Sequence, residues 1–207
     1  MINIEDVITS NAEELGFVIQ GMRNPMNSWN KSDTQGLTVG EKDLKLMQTL
    51  CTAGTDHRKY MRMMNVYMRI TAPLYWWKEF DTYKVGTTCN SCSTMHKIHE
   101  KEFELDDFSH EHLDHTSETF LNCTITVLNY ARERFMEDVS KDYWWQMIQL
   151  LPSSYNQTRN VMLNYEVLAN MYKSRKHHKL DEWRDFCETI KLLPLSELIT
   201  GENSHEQ

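Results

Sequence analysis

From Glu41 to Ala53 the apolar positions Leu44, Met47, Leu50 and Cys51 recur at three- and four-residue spacing. Acidic residues stand in front and Gly54 behind, so the pattern predicts a helix with a defined stop. The period changes at Tyr60. Tyr60, Met64, Val66, Met68 and Ile70 share one parity, with Arg62 as the exception, while Met61, Met63, Asn65, Tyr67, Arg69 and Thr71 take the other. This alternation predicts a long strand over 60–71 with one drier face. Pro73 then opens a short aromatic helix through Leu74–Phe80. Residues 82–96 are small and polar without a period and predict a loop, followed by a charged stretch from His96 to Phe108. Helices are predicted over 117–135, capped by Asp114 or Thr116, and over 141–150, 155–175 and 180–192. Residues 1–39 read as mixed, with a turn at Arg23-Asn24-Pro25 and a polar loop from Asn27 to Gly36. No repeat is visible, and the tail after Pro194 is expected to be mobile at its end.

These elements imply an α+β fold, a mainly antiparallel sheet flanked by helices, in one domain over 1–207. With 7 Gly and 4 Pro among 207 residues, long elements are favoured over a turn-rich barrel or sandwich. Twenty-two Lys and Arg against 30 Asp and Glu give a net charge of −8, which argues against a general nucleic-acid surface. A local pocket for one phosphate remains compatible with that balance. No apolar run approaches the ~18 residues of a membrane span, and Met1–Asn11 has neither the basic start nor the apolar core of an export signal. A soluble, cytoplasmic protein with reduced thiols is expected, since Cys51, Cys89, Cys92, Cys123 and Cys187 are odd in number and scattered. Two tryptophan pairs, Trp76-Trp77 and Trp144-Trp145, require deep packing or an interface.

Candidate chemistry falls in three places. Cys89-x2-Cys92-x3-His96-x2-His99 has the knuckle of a zinc site but lacks the finger between its pairs, so two small thiols in a loop beside surface histidines is the favoured reading, and no metal is expected. His110, His112 and His115, with Glu111 and Asp114, suit a solvated turn more than a metal patch. Asn164, Glu166, Asn170 and Arg175 interrupt the apolar pattern of Val161, Met162, Val167, Leu168 and Met171. On a continuous helix Asn164 and Arg175 would share a face about 16 Å apart along the axis. Polar groups in such a setting need tertiary hydrogen bonds or a ligand; structural hydrogen bonding is favoured.

Two segments together resemble the flavin-dependent thymidylate synthases. In 151–175 a Leu-Pro is followed by Asn164, by Asn170 six residues on, and by Arg175 five after that, as in the C-terminal signature of that family. In 43–84 an Asp-Leu-x-Leu-Met helix, a Gly, a strand, Ala72-Pro73 and an aromatic helix follow the family's order. The resemblance covers about three quarters of the chain. It implies an enzyme that transfers a methylene carbon from a reduced folate to a pyrimidine nucleotide such as dUMP. FAD is the implied cofactor, NADPH the implied co-substrate, and a homotetramer the implied assembly.

By the same resemblance Arg175 would contact the uracil ring and Ser93 would lie near the substrate. Asn90, Asn164 and Asn170 would hold the flavin side, with Tyr83 and Lys84 at the positions of the family's Arg-His-Arg motif. The chain departs from the family at several of these places. Arg-His-Arg becomes Thr82-Tyr83-Lys84, a flavin-facing Arg becomes Glu166, and the loop Arg that takes the nucleotide phosphate becomes Met95. Losing planar phosphate donors is not a conservative change; Lys78, Lys84, Arg159 and His96 are the candidate replacements. Two further readings therefore accompany the enzyme: a non-catalytic homologue that binds a nucleotide or a partner, and a metal module at Cys89, Cys92, His96 and His99.

Overall fold

The computed structural model describes residues 1–201; the end of the tail, expected to be mobile, lies outside them. Four strands, β1 (Asn3–Thr9), β2 (Asn65–Pro73), β3 (Thr88–Ser91) and β4 (Asn156–Asn164), form one sheet in the order β1-β2-β4-β3. Among the described residues there are eight α-helices: α1 (Ala12–Arg23), α2 (Glu41–Thr52), α3 (Leu74–Phe80), α4 (His115–Asp138), α5 (Lys141–Leu150), α6 (Tyr165–Arg175), α7 (Asp181–Lys191) and α8 (Glu197–Thr200). The fold is the expected α+β class.

β2 and β4 run antiparallel in a register marked along its length. Thr71 and Thr158 share a hydroxyl hydrogen bond of 2.7 Å. Arg69 Nη1 donates to Asn160 Oδ1 at 3.1 Å. The register closes with Leu74 N on Tyr155 O and Tyr165 N on Met64 O. The drier face of β2 is as the sequence implies: Val66, Met68, Ile70 and Ala72 are buried. Arg62 breaks that parity because Lys59–Arg62 is a 3-10 turn, not strand, so Tyr60 and Met61 are buried side by side. The strand therefore begins at Asn65 rather than at residue 60.

The helix expected over 155–175 is corrected. Its first half is strand β4 and its second half is α6. Gln157, Val161 and Leu163 alternate into the interior, a period of two that the neighbouring apolar residues obscured. Asn164 marks the change, since its side chain accepts the Val167 N–H and caps α6. The region 82–96 is also not loop throughout, because β3 lies within it at an exposed position. β1 and α1 occupy what read as a mixed stretch. Asn11 and Glu14 form a reciprocal capping box at the start of α1.

The chain divides into two compact units. The first comprises 1–3, 70–82 and 90–159. Its core is a cluster of Ile98, Phe103, Phe108, Leu121, Ile125, Leu128, Ala131 and Met147. Asp114 caps α4 as expected, and Trp76, Trp77 and Phe80 of α3 are packed ring against ring at 4.8–5.1 Å. The second unit comprises 4–69, 83–89 and the chain from 160 onward. There Trp183, Phe186, Cys187 and Ile190 form the buried face of α7.

Candidate functional site

Within the second unit, the short segment 83–89 meets both ends of α6. At the C-terminal end, Arg175 Nε donates to the Tyr83 hydroxyl at 3.0 Å. The Arg175 guanidinium lies 4.8 Å from the ring centre of Trp183 and 5.7 Å from that of Tyr83. Trp183 is fully buried and meets Tyr83 edge to face at 6.1 Å. A guanidinium lying against two rings has its orientation set, which suits recognition of a planar polar ring. His178 approaches the same tryptophan at 6.3 Å.

At the N-terminal end, Asn164 Oδ1 accepts from Val167 N at 3.0 Å and its amide nitrogen approaches Gly86 O at 3.5 Å. Gly86 has φ +80, and a Cβ on it would stand 2.7 Å from Asn164 Nδ2. A side chain is therefore excluded on two grounds, backbone conformation and space. The acceptor of Asn164 is committed to holding the helix, so the structural reading of this amide is the one the geometry supports.

Glu166 is buried but not isolated. Arg58 Nε lies 2.7 Å from Glu166 Oε2, and Arg58 Nη2 donates to Glu166 Oε1 at 3.0 Å. This ion pair, one hydrogen bond and one close charge contact, neutralises a buried charge. Arg58 carries no local signal in the sequence; it stands just before the 3-10 turn Lys59–Arg62, where Tyr60 and Met61 are buried. Burial pushes the nearby Cys51 thiol up, against the opposing influence of Arg58, so that thiol is not a poised nucleophile.

The remaining predicted residues are placed as follows. Asn170 and Lys84 are exposed in the second unit. Asn90 and Ser93 belong to the first unit and are also exposed. There Ser93 Oγ accepts from Met95 N at 3.2 Å and His96 N at 2.9 Å, a local turn cap. Of the candidate replacement cations, Arg159 is already engaged: it lies 4.3 Å from the Trp77 ring and donates to Asp81 at 2.8 Å and Gln157 at 2.9 Å. The structure thus gathers Tyr83, Asn164 and Arg175 around α6 and adds Trp183, Gly86 and Arg58. Among the described residues, no group of three or more His, Cys, Asp and Glu side chains converges as metal ligands would. No described helix is long and apolar enough to cross a membrane.

No protein-family model matches the sequence, and no curated protein sequence is similar to it. The fold is matched by solved structures over nearly its whole length. A flavin-dependent thymidylate synthase, ThyX, from Helicobacter pylori in complex with FAD and dUMP is 18% identical, with a TM-score of 0.69 and 97% of each chain covered. A second structure of that protein with FAD and dUMP gives 17% identity, a TM-score of 0.71 and complete coverage of both chains. The UMP/dUMP methylase PolB from Streptomyces cacaoi, bound with 5-Br dUMP, is 14% identical with a TM-score of 0.65, covering 97% of this chain and 95% of its own.

Proposed function

We propose that this chain, which has the fold of the flavin-dependent thymidylate synthases, is a divergent protein of that kind. It would carry out FAD-assisted methylation of a pyrimidine deoxynucleotide such as dUMP, with reduced folate and NADPH as co-substrates, as a homotetramer in the cytoplasm. The observation that carries this reading is Arg175, oriented by the Tyr83 hydroxyl and stacked on Trp183 at the position of the family's uracil-contacting arginine.

The residues present suit the ring and ribose parts of FAD better than its diphosphate. Tyr83 and Asn170 offer aromatic and amide surface, and Lys84 is an exposed cation. The Glu166 carboxylate, which would repel a diphosphate if bare, is neutralised by Arg58. Bound there, reduced FAD would supply hydride to the pyrimidine. Arg175 would donate to a ring carbonyl and spread the negative charge that grows on it during transfer.

The test is to titrate the purified protein with FAD, following the flavin band near 450 nm, and then to supply dUMP, reduced folate and NADPH. Uptake of FAD and methylation of dUMP are expected. Arg175→Ala is expected to weaken dUMP binding about tenfold, the loss of one charge-assisted hydrogen bond, with little change in melting temperature. A protein that takes up no FAD sinks the catalytic reading. The second reading, a non-catalytic nucleotide-binding homologue, is favoured by the commitment of Asn164 to its helix cap and of Arg159 to Asp81. Binding of dUMP without FAD uptake identifies it.

A further inference from the structure

Between Glu166 and Asp181 the chain carries no carboxylate, although Asp and Glu make up 30 of its 207 residues. In that stretch Lys173, Arg175, Lys176 and Lys179, with His177 and His178, place four cations and two histidines on seven consecutive residues. Lys173 and Arg175 belong to the last turn of α6, and the others to the turn that follows it. Basic residues at a helix end ordinarily answer the helix dipole. That dipole amounts to about half a charge, so one cation answers it and the other three are surplus. Carboxylates do not absorb the surplus. Lys173, His177 and Lys179 are exposed and pair with no carboxylate among the described residues. Asp181, the first acid beyond them, is engaged by Arg184.

The backbone of this segment is fixed. His178 N donates to Arg175 O at 2.9 Å, and Leu180 N donates to His178 Nδ1 at 3.2 Å. From α7, Arg184 Nη1 donates to His178 O at 2.9 Å and to Lys179 O at 3.2 Å. The carbonyls of Arg175, His178 and Lys179, which would repel an anion if bare, are therefore already hydrogen-bonded. An anion arriving here has side chains to order but no backbone, which lowers the entropy cost of binding.

We propose that residues 173–179 are an oligophosphate-binding strap, and that the nucleotide received beside Arg175 carries two or three phosphates rather than one. The base of that ligand rests on the proposed function; the strap rests on charge and backbone alone. Lys173, Lys176 and Lys179 supply three positive charges, more than the roughly 1.5–2 negative charges of a single phosphate group. Ammonium groups on flexible stems are point charges that can follow a chain of phosphates, where a planar guanidinium fork suits one group at a time. A nucleic acid is the poorer fit, since the cations end after seven residues on a chain of net charge −8.

The test is calorimetric titration of the intact protein with dUMP, dUDP, dUTP and inorganic tripolyphosphate, at low and at physiological salt. The wild type is compared with Lys173→Gln/Lys179→Gln and with Lys42→Gln/Lys45→Gln, a control on α2 that removes the same charge. All four lysines are exposed, so neither double variant loses a core contact. Affinity is expected to rise at least about tenfold from dUMP to dUTP and to weaken as salt is added. The strap variant is expected to bind dUTP and tripolyphosphate about tenfold more weakly, the loss of two exposed charge contacts, while the control binds as the wild type does. dUTP bound no better than dUMP overturns the inference and leaves the proposed function standing. So does a strap variant that holds dUTP and tripolyphosphate as tightly as the wild type. Tripolyphosphate held through these lysines with no pyrimidine nucleotide bound at all keeps the strap and sinks the proposed function.

Discussion

Two charged centres of the same unit are built in opposite ways. Asp43, on α2, is fully buried, and its carboxylate accepts from Arg23 Nε at 2.6 Å. It also accepts from the Ser32 and Thr34 hydroxyls and from the Asp33 and Thr34 backbone amides. Oδ1 takes the arginine and Oδ2 the four donors of the loop, so the polar loop between α1 and α2 is wound around it. Arg175 is half-buried, donates to the Tyr83 hydroxyl and lies against two aromatic rings. A closed centre organises chain; a centre bounded by rings at a helix end can receive something planar and polar. The difference shows that burial and pairing, not the presence of charge, separate a structural node from a candidate site.

The comparison breaks most visibly at its closed end. Asp43→Ala leaves Arg23 buried without its partner and releases the loop, so a loss of about 3–5 kcal/mol is expected in urea unfolding. The same centre sets a pH dependence. Burial alone would raise the Asp43 carboxyl, but the hydrogen bonds from Ser32, Thr34, Arg23 and the Asp33 amide outweigh it and hold the group at about 2. A carboxyl depressed in the folded state stabilises fully above its ordinary range of ~4. That contribution is lost as pH falls from there through about 2. Wild-type stability is expected to fall across this window, and an Asp43→Asn protein, less stable at neutral pH, is expected to show a flatter profile.

A smaller effect belongs to the pair that lies between the two centres in character. Arg58→Ala strips the buried Glu166 carboxylate and is expected to cost about 2–3 kcal/mol, discounted from a fully buried pair because Arg58 is partly exposed. Adding Glu166→Gln to it is expected to restore part of the loss; a double variant no better than the single would show that the two groups do not depend on one another. The smallest effect falls at the open end. Tyr83→Phe keeps the ring and removes one hydrogen bond, so about 0.5–1.5 kcal/mol at most is expected. Its larger consequence should be a loss of nucleotide affinity, measured by calorimetry, as Arg175 loses its fixed orientation. Equal stability and equal affinity would remove Tyr83 from the site.

Much of this architecture is written in local pattern. The even-numbered dry face of β2, the aromatic α3, the Asp114 cap and the helices α4, α5 and α7 follow from spacing alone, because each buries a single stripe. β4 was hidden because its alternation is short and joins α6 without a connecting loop, so that one apolar stretch masked two periods. β1 and α1 are similarly unannounced, as their exposed positions carry Val7, Ile8 and Phe17. At the site, Tyr83 and Arg175 are both positions of the family resemblance, and the structure brings them into contact. Arg58 was not legible, since a pair separated by 108 residues depends on how the turn before β2 is packed, and no local spacing encodes that. The tryptophan pairs divide in the same manner: Trp76 and Trp77 are enclosed, whereas Trp145 is 41% exposed.

The direct passage from β4 into α6 has a mechanical consequence. With Asn164 ending the strand and Tyr165 beginning the helix, there is no slack segment to absorb displacement. Tyr165 N bonded to Met64 O clamps the junction to the preceding strand, and the Tyr165 hydroxyl, bonded to Pro194 O, clamps it again from behind. α6 is thus a lever with a pinned fulcrum, about 16 Å long at 1.5 Å per residue, and Arg175 sits at its tip. A slip of β4 by one residue, ~3.3 Å, would be delivered undiminished to that guanidinium. Precision at the far end is inherited from the register of the strand that feeds the helix.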